Sequence, residues 1–278
     1  MIISVASGKG GTGKTLVATS LALSLRGEGV EFVDCDVEEP NAFLFLKPRI
    51  LHRRKVFVPV PSVDEGKCDF CGECSRVCSF GAIAVLPGKV LTFPELCHGC
   101  GACSTLCPRG AIKETPREIG VVERGEADGI RFVQGILNLG EPMPTPVIRE
   151  VKREIGGRIT VIDVSPGTSC PMVEAVRGSD FSILVTEPTP LGLYDLSLAV
   201  EVLRKLGVPF GVVLNKDGMG FSGVEDFLKE REIPLLLRIP FRKEIAMLYS
   251  KGVPLVEGMP EWRESFLSLY EEIKRRAG

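Results

Sequence analysis

Histidine is nearly missing from this sequence: His52 and His98 are the only two. There is no G-x-S-x-G turn either, so a nucleophile–base hydrolase has nothing to be built from. No run of about 18 apolar residues occurs, and no transmembrane helix is expected. Met1 leads straight into Ile2-Ile3-Ser4-Val5-Ala6, without a basic n-region or a cleavage site. No secretory signal is expected, and a cytoplasmic protein is. A net charge of −2 gives neither nucleic acid nor a membrane surface an electrostatic reason to bind. What is present is a 278-residue chain, 44% hydrophobic, long enough for a sizeable core and about two domains.

Ten cysteines would suit a disulfide framework in a small secreted chain. Here eight of them are packed into residues 68–107, which points to metal in a reducing compartment. Around that cluster the chain alternates. Residues 2–6 read as a short buried strand, 14–26 as a helix ended by Gly27 and Gly29, and 32–34 as the next strand. Apolar runs at 159–163, 181–186, 209–215 and 233–238 read as further strands, with helical patterns at 171–177 and 191–206. Strands alternating with helices predict an α/β fold with a doubly wound, mostly parallel sheet.

The stretch from Pro59 to Pro116 breaks this rhythm, with no periodic segment of helix length. It repeats with a period of 29: Cys68, Cys71, Cys74 and Cys78 map onto Cys97, Cys100, Cys103 and Cys107, and Gly81-Ala82-Ile83 onto Gly110-Ala111-Ile112. A duplicated unit is inserted into the α/β domain. The expected division is an α/β domain in two parts, 1–60 and 117–278, around an insert at 61–116. After the insert, 120–123 and 130–137 read as a hairpin turning between Gly125 and Gly129.

Gly8-Lys9-Gly10-Gly11-Thr12-Gly13-Lys14-Thr15 follows the first strand and opens a helix, as a G-x-x-x-x-G-K-[ST] phosphate loop requires. Its glycines let backbone N–H groups wrap phosphates at a helix N-terminus. Lys14 should reach the β- and γ-phosphates of ATP, and the Thr15 hydroxyl should ligate Mg²⁺. The second lysine, Lys9, makes the loop resemble the deviant Walker A of the MinD/ParA/nitrogenase-iron-protein superfamily. The resemblance implies that Lys9 contacts nucleotide across an ATP-dependent homodimer, and that Asp36, in Asp34-Cys35-Asp36, orients a water. It also implies that Asp163, in Asp163-Val164-Ser165-Pro166-Gly167-Thr168, takes the Walker B role, and that Asn215 contacts adenine. Ile239-Pro240-Phe241-Arg242 resembles the family's later nucleotide-side loop. Ser165 stands where the family commonly has a second proline.

Cys68-x₂-Cys71-x₂-Cys74-x₃-Cys78 followed by Cys97-x₂-Cys100-x₂-Cys103-x₃-Cys107-Pro108 resembles the bacterial two-cluster ferredoxin pattern. That implies two [4Fe–4S] clusters, one on Cys68, Cys71, Cys74 and Cys107, the other on Cys97, Cys100, Cys103 and Cys78. Two zinc ions would also suit eight cysteines, and the repeated C-x₂-C-x₂-C argues against them. His98, inside a ligand loop, is a solvated residue or a donor to a cluster sulfur. Cys35 reads as a small buried hydrophobe. Cys170 follows Asp163 by seven residues, the offset at which a nitrogenase iron protein places a cluster ligand, but no companion cysteine accompanies it. Trp262, Phe266, Leu269, Tyr270 and Ile273 share a face of a C-terminal helix, expected to dock on the sheet rather than on a membrane.

The leading expectation is an ATP-gated electron carrier acting on an unidentified redox partner. Iron–sulfur cluster carriage to an apo-protein acceptor, or a scaffold for assembly, is the second. A non-redox positional switch is the third, and the ferredoxin-spaced cysteines argue against it.

Overall fold

The computed structural model describes residues 1–277. Eleven strands form: β1 Ile2–Ala6, β2 Val30–Cys35, β3 Arg49–Val63, β4 Ile83–Leu86, β5 Lys89–Thr92, β6 Ile112–Ala127, β7 Ile130–Leu137, β8 Ile159–Val164, β9 Phe181–Thr186, β10 Phe210–Asp217 and β11 Leu235–Pro240. Nine make one sheet in the order β11-β10-β9-β1-β8-β2-β7-β6-β3. The seven from β11 to β7 are mutually parallel, and β6 and β3 are added antiparallel at one edge. The fold is therefore the mostly parallel α/β sheet expected.

The parallel strands β1, β2, β8 and β9 are buried along nearly their whole length, because helices cover both faces. One core lies under the helices Lys14–Ser24, Lys243–Ser250 and Trp262–Ala277. The other lies under Thr145–Lys152, Cys170–Val176, Pro190–Leu206 and Gly223–Glu230. Phe266, Leu269 and Ile273 of the last helix are buried in the first core, so its apolar face is docked on the sheet. Among the described residues no helix is long and apolar enough to cross a membrane.

The edge departs from expectation. The hairpin at 120–137 forms, but its turn is the tight Asp128-Gly129, and β6 begins at Ile112, well before it. β6 pairs with β7 only from Gly120 onward, whereas it pairs with β3 from Arg49↔Glu126 to Val63↔Ile112, with register shifts at Ile50/His52 and Val56/Phe57. Residues 56–63 and 112–118 thus leave the sheet as a two-stranded antiparallel arm. They run through both expected insert boundaries, and Pro59 lies opposite Pro116 within the ladder. The arm ends in the cysteine repeats. There two short helices, Glu73–Val77 and Ala102–Thr105, and the hairpin β4–β5 surround a small core of Ile83, Val90 and Ile112. So small a core leaves the insert dependent on what its cysteines hold.

Candidate functional site

β1 ends at Ala6, and the helix Lys14–Ser24 begins without a side-chain cap, so its first amide groups are free to meet an anion. The loop between them is tightly enclosed. Gly13 has φ +97°, and a Cβ there would lie 2.3 Å from Asn215 Nδ2. A Cβ on Gly8 would lie 2.2 Å from the Asp195 carbonyl oxygen, so only glycine fits at either position. Asn215, expected against the adenine, donates its amide to the Thr12 carbonyl at 2.7 Å and braces the loop. A cavity of about 270 Å³ opens beside it, lined by Lys14, Thr15, Asp36 and Asn215 and by Pro240, Phe241 and Arg242 at the end of β11. The parallel strands put these residues at their carboxyl ends, where α/β sheets bind ligands.

Two buried carboxylates, Asp36 and Asp163, converge there on one buried lysine, with a third, Asp34, buried beside them. Lys14 Nζ is 3.7 Å from Asp36 Oδ2, and Thr15 Oγ1 donates to Asp163 Oδ2 at 2.6 Å. Asp34 accepts the backbone N–H of Asp36 at 3.0 Å and of Ala42 at 3.2 Å, which pins both ends of the segment between them. Burial pushes the Asp36 carboxyl up to about 7 against the pull of Lys14. Burial likewise raises Asp163, opposed by Lys14 and the Thr15 hydroxyl. It raises Asp34 well above its ordinary range, with the Asp163 charge adding to it. The Asp163 Oδ1 is buried without a hydrogen-bond partner. An unpaired carboxylate oxygen beside a threonine hydroxyl and a second carboxylate is an oxygen-rich set of the kind Mg²⁺ takes, so these residues fit that ion.

Lys9 does not point free. It forms an ion pair with Glu187, just beyond β9, and Glu187 Oε2 also accepts from Lys216 Nζ at 2.7 Å. Lys216 Nζ lies 3.1 Å from the Gly11 carbonyl, so Glu187 ties together two lysines that flank the phosphate loop. Burial raises the Glu187 carboxyl, and the hydrogen bonds from Lys216 and Lys9 outweigh it, leaving it below its ordinary range. Sequence reasoning passed over Glu187 and Lys216. The available signal was a charged residue at the carboxyl end of an apolar parallel strand, where Asp163 also lies.

The eight clustered cysteines gather into two pockets. Cys68, Cys71, Cys74 and Cys107 line one, and Cys78, Cys97, Cys100 and Cys103 the other, so each takes its fourth thiol from the opposite repeat. Backbone N–H groups meet the sulfurs in matched pairs: Phe70 to Cys68 and Gly99 to Cys97 at 3.4 Å, Ala82 to Cys78 and Ala111 to Cys107 at 3.3 Å. Among the described residues no three His, Cys, Asp or Glu are grouped to hold a single metal ion. Four thiols lining each pocket are a donor set that a four-iron cube takes. Cys35 is buried in the main core, and burial pushes its thiol far up. Cys170 is exposed at the start of its helix, away from both pockets.

The sequence profile described as the CobQ/CobB/MinD/ParA nucleotide-binding domain matches residues 3–255. An uncharacterized protein of Methanocaldococcus jannaschii is 32% identical over 257 residues, covering 91% of this chain and 90% of that protein. An "Iron-sulfur cluster carrier protein" of Pyrococcus horikoshii is 25% identical over 300 residues, 98% of this chain and 84% of the relative. Among solved structures, the septum site-determining protein MinD of Pyrococcus horikoshii, complexed with Mg-ADP, superposes with a TM-score of 0.60 at 22% identity. That superposition covers 100% of this chain and 97% of MinD, a likeness of fold. With its phosphate loop, its strand-end carboxylates and its sheet order, the chain belongs to the CobQ/CobB/MinD/ParA family of P-loop nucleotide-binding proteins.

Proposed function

We propose that this protein is a cytoplasmic ATPase that carries iron–sulfur clusters for assembly into other proteins, with residues 61–116 as the cluster-bearing insert. The observation that carries this reading is that each four-thiol pocket keeps one thiol exposed, Cys71 in one and Cys100 in the other. An acceptor's thiolate can replace such an edge ligand first. The name of the Pyrococcus horikoshii relative favours the same use. In this reading each pocket holds a [4Fe–4S] cluster through its four cysteines, a group that supplies redox chemistry when bound.

On the nucleotide side, the loop amides of residues 8–13 would cradle the phosphates, with Lys14 on the β- and γ-oxygens. Bound Mg²⁺ would offset phosphate charge, held at Thr15 with Asp163 behind it. Asp36 would orient the water that attacks the γ-phosphorus. As that bond forms, the bond to the bridging oxygen breaks and ADP leaves. Lys9 would exchange Glu187 for the nucleotide of a second copy, so that ATP closes a homodimer.

An ATP-gated electron carrier is the second reading. A full set of four protein thiols in each pocket favours it, since such a site retains its cluster. The test is cluster transfer. Anaerobically loaded protein, with about eight irons, is mixed with an apo-ferredoxin with and without ATP. Carriage predicts that iron moves to the acceptor faster with ATP. Retention of both clusters, with ATP-dependent reduction of an acceptor, would replace carriage by electron transfer.

A further inference from the structure

The two cysteine pockets are built from equivalent positions 29 residues apart, so wherever equivalent side chains differ, the two sites differ. Their backbones and N–H to sulfur hydrogen bonds correspond one for one. The side chains that cover them do not. Over the pocket of Cys68, Cys71, Cys74 and Cys107, Asp69 and Arg109 form an ion pair of 3.0 Å. Asp69 Oδ1 also accepts the Cys71 N–H at 3.3 Å. The equivalent positions over the other pocket hold His98 and Phe80, whose rings stack with centroids 3.7 Å apart and an interplanar angle of 13°. In each case one residue comes from the three-cysteine loop and the other lies two positions after the crossing cysteine, so each pair closes the seam between the repeats.

Placement sharpens the contrast. The stacked pair covers an inner pocket that backs onto Pro59 and Pro61 of the arm. There Cys97 is only 8% exposed, with its sulfur 3.9 Å from the Pro59 carbonyl oxygen. The ion pair covers an outer pocket beside Val63 and Ile112, the last pair of the ladder. An exposed ion pair contributes little and opens readily, since each partner is solvated when it leaves the other. A partner protein can open it by offering a charge of its own. A stacked aromatic pair resists opening, because parting the rings wets apolar surface.

We propose that the two pockets are unequal in function. The outer pocket, under Asp69–Arg109, is where iron and clusters exchange first with a partner, and the inner pocket, under Phe80–His98, holds its cluster longer although its Cys100 is exposed. This rests on the reading that both pockets hold iron–sulfur clusters. Iron content before any challenge tests that reading separately: protein that takes up no iron on anaerobic reconstitution refutes the clusters themselves.

For loaded protein, the test is the release of iron to an excess of a ferrous chelator, followed anaerobically. The expected course has two phases of equal size, the fast one at least fivefold faster. Cys71→Ser should remove or speed the fast phase alone, and Cys100→Ser the slow phase alone, which assigns the phases to pockets. Phe80→Ala should accelerate the slow phase threefold or more and leave the fast phase unchanged, with Phe80→Tyr restoring the slow rate. Should Phe80→Ala fail to load, His98→Ala reads the same stack from its other ring. EPR of the half-depleted protein should show one [4Fe–4S] centre without the coupling to a second. A single phase for all the iron would overturn the proposal. So would a Phe80→Ala effect that is absent or equal in both phases.

Discussion

Asp36→Asn in the nucleotide-free protein tests whether the site is a strained cluster of carboxylates. Asp36 is 7% exposed, with Asp163 and Asp34 nearby and Lys14 as its one close cation. Burial lifts its carboxyl from an ordinary 3.8 to about 7. The sign follows from which state holds the proton. Below the ordinary value both folded and unfolded chains are protonated, and the group is neutral to stability. As pH rises toward 7 the unfolded chain releases its proton while the folded chain keeps it, so stability falls; above about 7 the full penalty is present. At ~1.4 kcal/mol per pH unit the ceiling is ~4 kcal/mol. Asparagine keeps the size and removes the charge; the value of about 7 already contains the attraction to Lys14, and burying an amide in the carboxyl's place gives back part of the gain. The expected gain at pH 8 is therefore ~2 kcal/mol, a rise of about 4–8 °C in Tm. Near pH 4 the two proteins should unfold together. The assay is thermal unfolding of iron-loaded protein with EDTA and no nucleotide, from pH 4 to 8. A variant no more stable than its parent at pH 8, or a gain that ignores pH, would refute the reasoning.

Gly8→Ala places a Cβ 2.2 Å from the Asp195 carbonyl oxygen, a backbone atom that cannot swing away. It should cost ~1–3 kcal/mol and abolish tight ATP binding, checked by denaturation and calorimetry. Glu187→Gln weakens the hold on Lys9, so ATP-driven dimerisation should tighten about threefold, roughly 0.7 kcal/mol, by analytical ultracentrifugation. The same change in a Lys9→Ala background should do nothing, and an equal gain there would dismiss the ion pair as a restraint. Bound ATP or ADP should shift the cluster midpoint potentials by less than about 60 mV, the one-electron equivalent of a tenfold change, in an EPR redox titration. Transfer to the acceptor should change tenfold or more over the same comparison.

The parallel sheet was legible because its strands are buried on both faces and read as unbroken apolar runs. The expected 181–186 is β9 as it stands, and 159–163 falls one residue short of β8. β3 was not legible. Its first seven residues, Arg49–Lys55, are all exposed on a sheet edge, so they carry no alternation, and charges at such an edge discourage further pairing. Pro59 and Pro61 looked like breaks, yet a two-stranded arm tolerates them. Gly125 looked like a turn. It sits inside β6 because a Cβ there would come within 2.4 Å of the Arg49 carbonyl oxygen, a close approach of backbones rather than a reversal. The phosphate loop and the two cysteine sets announced themselves by spacing. The Glu187 bridge between Lys9 and Lys216 did not, because it joins positions brought together only by sheet order. Nor did the left-handed backbone of Phe70, φ +57°, at the position where the second repeat has Gly99.

How the nucleotide site reaches the insert follows from that arm. The connection is the two-stranded ladder of β3 and β6, with a register shift at Val56/Phe57 where the arm leaves the sheet. Asp36 is followed by Val37, whose carbonyl accepts the Leu137 N–H at 2.8 Å, and Val37 also fills the space above Gly135. Both partners lie on β7, which pairs with β2 on one side and β6 on the other. β6 then carries the chain outward to the cysteines. At the base of the arm Arg117 forms an ion pair with the buried Glu141, and the Asn138 N–H donates to the Ile119 carbonyl at 2.9 Å. A displacement of Asp36 and Val37 on ATP binding must therefore be taken up by β7 and, through it, by β6. Packed strands move as units rather than stretching. The thiol pockets, whose internal hydrogen bonds all lie within the insert and the arm, ride on that motion unchanged. On the proposed function, ATP would re-aim the insert toward or away from a partner while leaving its thiol pockets alone, so that positioning, not electronics, would link the two halves of the molecule.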